Sequence, residues 1–180
     1  MGILAKYAFV YFVCEGKNEE AVLRWIVEKN CLELNVDQYS FDFIRARGSK
    51  SWKALEQNCF EYEYDGEIAI VYLLDSKSEK RDCLKSKTGK QVPVIKVLTP
   101  PEIEILLILA YPEAEREWNR QYRRKRQLKP SEFCRQYYQC DIKNGDNFIN
   151  AFESFEQFVS ACQVYKSRHA DQYCIYDILR

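Results

Sequence analysis

Two uninterrupted apolar runs, Ala8-Phe9-Val10-Tyr11-Phe12-Val13-Cys14 and Ile68-Ala69-Ile70-Val71-Tyr72-Leu73-Leu74, each break off at an acid, Glu15 after the first and Asp75 after the second. A strand that is apolar on both faces must be covered on both, as are the central strands of a parallel sheet with helices on either side. The residues between the runs fit that reading. Asn18 can cap a helix whose first turn carries Glu19 and Glu20, and Val22, Leu23, Ile26 and Val27 recur at helical spacing up to about Asn30. A second strand is expected over Val36 to Ala46, followed by a helix starting at Ser49 or Ser51 and carrying Trp52, Leu55 and Phe60. After Asp75, the polar tract Ser76 to Lys90 reads as loop or short helix and Val92 to Leu98 as a fourth strand. Thr99-Pro100-Pro101-Glu102 reads as a helix start that continues through Leu109.

Strand signals fade from Pro112 onward, and helices are expected over 113–127, 131–138 and 147–167. Phe148, Ala151, Phe152, Phe155, Phe158, Val159 and Cys162 form an apolar stripe at helical spacing, which is core packing. The expected architecture is one α/β domain, with a mostly parallel four-stranded sheet flanked by helices over 5–110 and a helical C-terminal part over 111–180.

Composition narrows the function. Lys plus Arg and Asp plus Glu each number 27, so net charge is zero and any attraction to nucleic acid must come from local patches. The first residues read as a strand, not a signal peptide, and no apolar stretch approaches the roughly 20 residues that span a bilayer, so a cytoplasmic protein with no membrane partner is expected. The eight cysteines include no Cys-x-x-Cys pair and stand with one histidine, His169, which argues against structural zinc and for reduced, core-filling thiols. No Ser-His-Asp or Cys-His arrangement, P-loop or dinucleotide fingerprint is present.

In parallel sheets, ligands bind beyond the carboxyl ends of the strands. That is where Glu15 and Asp75 should lie together. Gly16 permits close approach of a phosphate, and Lys17 offers that phosphate a point charge. Clustered carboxylates suit a hard cation, and magnesium (or manganese) held by Glu15 and Asp75 with help from Glu19 would take substrate phosphate into its remaining positions.

The turn Val13-Cys14-Glu15-Gly16-Lys17-Asn18-Glu19-Glu20, an Asp after a later strand and the Pro101-Glu102-Ile103-Glu104 helix start resemble Toprim domains, particularly the small RloB-like and OLD-associated nucleases of phage-defence systems. The resemblance implies a Toprim-like fold over roughly residues 5 to 110 and magnesium-dependent cleavage of RNA or DNA phosphodiesters. It places the metal-ligand or acid/base role on Glu15, and further ligand positions on Asp75 and on Glu104, or Glu102 beside it. It also implies a defence or mobile-element setting with an ATPase or other defence protein as partner. The family's Asp-x-Asp after the third strand would fall on Asp75 and position 77, which here is Lys77. Glu79 or Asp82 would then have to replace the missing ligand. Lys77 can neutralise phosphate charge beside Lys17 in a working enzyme, or it can mark a catalytically silent binding or regulatory subunit.

A basic run, Arg116, Arg120, Arg123, Arg124, Lys125, Arg126 and Lys129, is interleaved with Trp118 and Tyr122 and followed by Tyr137 and Tyr138. Arg116, Arg120, Arg123 and Arg124 share a helix face, which can grip a phosphate backbone while the aromatic rings stack on unpaired bases. Arg45, Arg47, Lys50 and Lys53 form a smaller basic cluster on the sheet edge where the acids should lie.

Overall fold

The chain was analysed as a computed structural model that describes residues 2–40, 44–45, 49–76, 79–86, 89–125 and 127–180. Its framework is a five-stranded sheet flanked by helices. The first apolar run forms β1 (Phe9–Cys14) and leads through Glu15-Gly16 into α1 (Lys17–Glu28). Then come β2 (Ile44–Arg45), α2 (Ser49–Glu61), β3 (Ile68–Leu74), β4 (Cys83–Lys85) and β5 (Gln91–Leu98). The strand order is β2-β1-β3-β5-β4, with β2, β1, β3 and β5 parallel and β4 antiparallel to β5.

Alternation in the central strands explains why both acidic turns follow apolar runs. Val10, Phe12 and Cys14 of β1, with Ala69, Val71 and Leu73 of β3, join one core cluster. Tyr11 and Val13, with Ile70, Tyr72 and Leu74, join a second on the opposite face. The two faces are covered unequally. Among the described residues, α2 is the helix that packs on the second face, through Trp52, Leu55 and Cys59. The first face receives α1 and the helices that follow β5: α3 (Ile105–Ala110), α4 (Pro112–Arg124), α5 (Pro130–Tyr138), α6 (Gly145–Asn150) and α7 (Phe155–Arg168). Among the described residues, no helix is long and apolar enough to cross a membrane.

Several expectations change. The sheet has five strands where four were expected, because the polar tract after Asp75 contributes β4, whose Leu84 pairs with Val92. That strand escapes the sequence because it lies at the sheet edge with one buried side chain in three. The second strand shrinks to Ile44–Arg45, and Val36–Gln38 forms a 3-10 turn capped by Asn35. Asn18 does not cap α1; Gly16 occupies that place. The Pro100-Pro101 peptide is cis, and α3 begins only at Ile105.

The helix expected over 147–167 is two helices. The first ends at Asn150, and Ser154 starts the second: its hydroxyl accepts the Gln157 N–H, and Gln157 Oε1 accepts the Glu153 N–H. This is a Ser-x-x-Gln capping signal that the apolar stripe masked. Replacing Ser154 with Ala should lower unfolding free energy by about 1 kcal/mol, measured as a shift in the urea midpoint at constant slope. An unchanged midpoint would show that the α7 N-terminus does not depend on this cap.

Candidate functional site

The strand register brings the acids together. Cys14 pairs with Leu73, Cys14 also pairs with Arg45, and Leu74 pairs with Leu98, so β1, β2, β3 and β5 reach their carboxyl ends in nearly one row. The ladder continues one step, with Glu15 N–H donating to the Leu73 carbonyl and Thr99 N–H to the Leu74 carbonyl. Side chains then join the turns. Glu15 Oε2 accepts the Asp75 N–H at 3.0 Å, and the Thr99 hydroxyl, itself buried, donates to Asp75 Oδ1 at 3.3 Å.

Gly16 is explained by space. Its backbone is extended, which any residue tolerates, but a Cβ there would lie 2.8 Å from Glu19 Oε2. The Glu19 carboxyl folds back over the start of α1, where the Gly16 N–H and its own N–H stabilise its charge. It is the acidic half of a capping box, with glycine making room for it. Glu19 is only 3% exposed, and its carboxyl also hydrogen-bonds with that of Asp75.

Glu104 arrives from the other side. It precedes α3, is 5% exposed, and its Oε1 accepts Asn18 Nδ2 at 3.1 Å. The same Asn18 nitrogen donates to the Ile142 carbonyl at 2.9 Å, tying α1 to the segment before α6. Asn18 Oδ1 is buried with no partner among the described residues. Glu102 is used differently: its Oε2 accepts the Ser131 N–H at 2.9 Å and so caps the first turn of α5.

Burial and mutual repulsion set the electrostatics. Asp75 is pushed up from 3.8 to about 8, first by burial and then by the charges of Glu19, Glu104 and Glu15. Burial, followed by Glu102 and Glu19, raises Glu104 to about 7 against the pull of its own backbone hydrogen bond and of Lys143. Burial likewise raises Glu19, with Glu15 adding to it and the hydrogen bonds opposing. Carboxyls destabilised by one another are relieved by a cation or by protons. Among the described residues, no three His, Cys, Asp or Glu side chains stand close enough to hold one metal ion together. Magnesium asks for less than such a cage, since it keeps several waters and takes one or two protein carboxylates. The all-oxygen donor set, and the contact between Glu19 and Asp75, fit that requirement.

The other expected site residues are dispersed. Lys17 is exposed and makes no ion pair among the described residues; with Arg24 and Arg45 it lines a groove of about 630 Å³ between α1 and α6. Arg45 ion-pairs with Glu20, which also holds Arg24 at 3.0 Å. Lys77 and Arg47 lie outside the described residues. The proposed substitutes for a second aspartate are engaged elsewhere, Glu79 with Arg81 at 3.1 Å and Asp82 with Lys96 at 2.7 Å. Arg116, Arg120, Arg123 and Arg124 are exposed on α4; Arg120 pairs with Glu117 at 2.7 Å, and Arg116 Nε donates to the Pro112 carbonyl of its own helix. Sequence reasoning missed Asn18 and Thr99 as partners of the acids and Lys143 as the cation acting on Glu104. Asn18 was legible only as a helix cap, and the others join the site through long-range packing.

A carboxyl whose folded-state value exceeds its unfolded one costs nothing below the unfolded value, and it weakens the fold progressively as pH rises toward the folded one. Asp75 therefore destabilises the metal-free protein increasingly between about pH 4 and pH 8. Asp75→Asn should melt at least about 3 °C above the parent at pH 8 in EDTA, the advantage disappearing toward pH 4. A difference independent of pH would contradict the repulsion described above. Comparison with protein-family models, curated proteins and solved structures finds no match, so the function must be argued from the cluster's own chemistry.

Proposed function

We propose that the chain is a Toprim-like nuclease that hydrolyses RNA or DNA phosphodiesters with magnesium or manganese. The observation that carries this reading is the meeting of Glu15, Glu19, Asp75 and Glu104 at the carboxyl end of a parallel strand pair, with three of the four carboxyls raised by burial and neighbouring charge. The parallel order of β2, β1, β3 and β5 is compatible with the Toprim resemblance of the sequence.

In this reading Glu15 and Asp75 hold the cation, with Glu19 and Glu104 beside them. When bound, the cation supplies charge neutralisation at the phosphate and lowers the pKa of a water. The chain's own residues set the geometry. Asp75 is fixed from two directions, by its N–H on Glu15 and by the Thr99 hydroxyl on Oδ1. Asn18 fixes Glu104, whose carboxyl, raised to about 7, is suited to exchanging a proton at neutral pH. In hydrolysis a water oxygen bonds to phosphorus and gives up its proton to solvent, the P–O bond to the sugar breaks, and the departing oxygen takes the proton of Glu104, which solvent then restores.

Glu15→Gln should reduce magnesium-dependent cleavage by about a hundredfold or more with little change in melting temperature. Retained activity would remove Glu15 from the chemistry. Gly16→Ala tests its neighbour: Glu19 must swing away, costing less than about 1 kcal/mol of stability, while affinity for magnesium falls about 10–100-fold.

A second reading rests on Lys77, which stands where the resembled family carries an aspartate. It makes the chain a catalytically silent binding or regulatory subunit, with an ATPase or other defence protein as partner. Incubation with single-stranded DNA, plasmid and tRNA across a magnesium and manganese titration separates the two. Binding of any of the three without cleavage at any metal concentration selects the silent reading.

A further inference from the structure

A cleft of about 220 Å³ lies between α4 and α7, beside the Pro100-Pro101 turn. One wall is the stacked pair Trp118 and Tyr122, centroids 5.2 Å apart at 27°; the other is the stacked pair Tyr165 and His169, 4.3 Å apart at 29°. Asn119, exposed and without a partner among the described residues, offers an amide donor and acceptor at the rim. The Arg168–Glu115 ion pair at 2.7 Å joins the two helices across the cleft. At about 30 Å³ per water the space equals about seven waters, enough for one flat ring system and below the usual range for drug-sized ligands.

Its position links it to the carboxyl cluster. Tyr165 donates its hydroxyl to the Pro100 carbonyl at 3.0 Å, and Pro100 directly follows Thr99, whose hydroxyl is bonded to Asp75. Glu115, Trp118, Asn119 and Tyr122 line the cleft from one stripe of α4, and Arg116, Arg120 and Arg123 form the parallel stripe one residue on, so cations flank it. Aromatic faces supply stacking that accepts any base, an amide supplies hydrogen bonds to a base edge, and flanking guanidiniums suit the backbone phosphates.

We propose that this cleft receives one unpaired nucleobase of the strand whose phosphate lies at Asp75, with Tyr122 and His169 as stacking residues. The proposal rests on the nuclease reading for its substrate, and it assigns that substrate as single-stranded at the cleavage site. Tyr122 is 43% exposed, so its removal leaves the fold intact. The test is fluorescence anisotropy of a labelled single-stranded decamer in EDTA, so that cleavage plays no part. Tyr122→Ala and His169→Ala should each weaken binding about 5- to 150-fold, the range corresponding to the stacking of one base. The slope of log affinity against log salt should not change, because no phosphate contact is lost. Tyr122→Phe should bind as the parent does. Arg120→Gln should flatten the slope by about 0.7, the value for one phosphate contact on a single strand. Unchanged affinity in both alanine variants, or no binding by the parent even at low salt, overturns the cleft. A parent that binds with this pattern but never cleaves with magnesium or manganese overturns the nuclease reading and leaves the cleft standing.

Discussion

Because β1 and β3 run parallel, in a register that sets Cys14 beside Leu73, both central strands end within a residue of one another. The residue that ends each run is an acid. The bond from the Asp75 N–H to Glu15 then closes the two turns into one piece of backbone, on which Thr99 adds a third support from β5. Glu19 and Glu104 enter through the helices that follow β1 and β5, so their positions depend on the same register. Shifting β1 by one residue would exchange its two apolar faces and separate Glu15 from Asp75 together. Core packing and the site are therefore specified by one constraint.

Burying like charges side by side weakens a fold unless something offsets it. Part of the offset is local, since Glu19 is satisfied by the N–H groups at the start of α1 and Glu104 by the Asn18 amide. Lys143 adds a little at Glu104, but Lys17 lines the α1–α6 groove and Arg45 is taken by Glu20, so neither relieves the other carboxyls. Such a frustrated carboxyl cluster is characteristic of places where chemistry, rather than stability, decides the residues.

The fold's centre was legible because the two apolar runs leave few alternatives: seven residues without a polar break demand cover on both faces, and both runs are central strands. Glu15, Glu19 and Asp75 were legible for the same reason, since each stands at an element boundary that periodicity reveals, whereas Glu104 entered only through the family resemblance. Where the pattern is weak the reading changed. Cys83–Lys85 carries too little apolar content to announce a strand, and the Phe148 to Cys162 stripe hid the break before the Ser154 cap because two helices sharing one core present the same face. The pairing of Asn18 with Glu104 spans 86 residues, and no local signal encodes it. Pro100-Pro101 looked like a helix start, yet α3 begins only at Ile105 and both prolines line a cleft.

Asn18 changes how the second half of the chain should be regarded. One side-chain nitrogen holds both Glu104 and the carbonyl of Ile142, while Gly145 lies so close to α1 that a Cβ there would meet Ala21 at 2.7 Å. The segment before α6 is thus tied to Glu104 through one amide, and moving it aside would break the Asn18 bond to Ile142. A fragment cut after residue 110 would keep every described strand and every clustered carboxyl and still lose the Ile142 carbonyl and the α6 contact that hold Asn18 and α1 against Glu104.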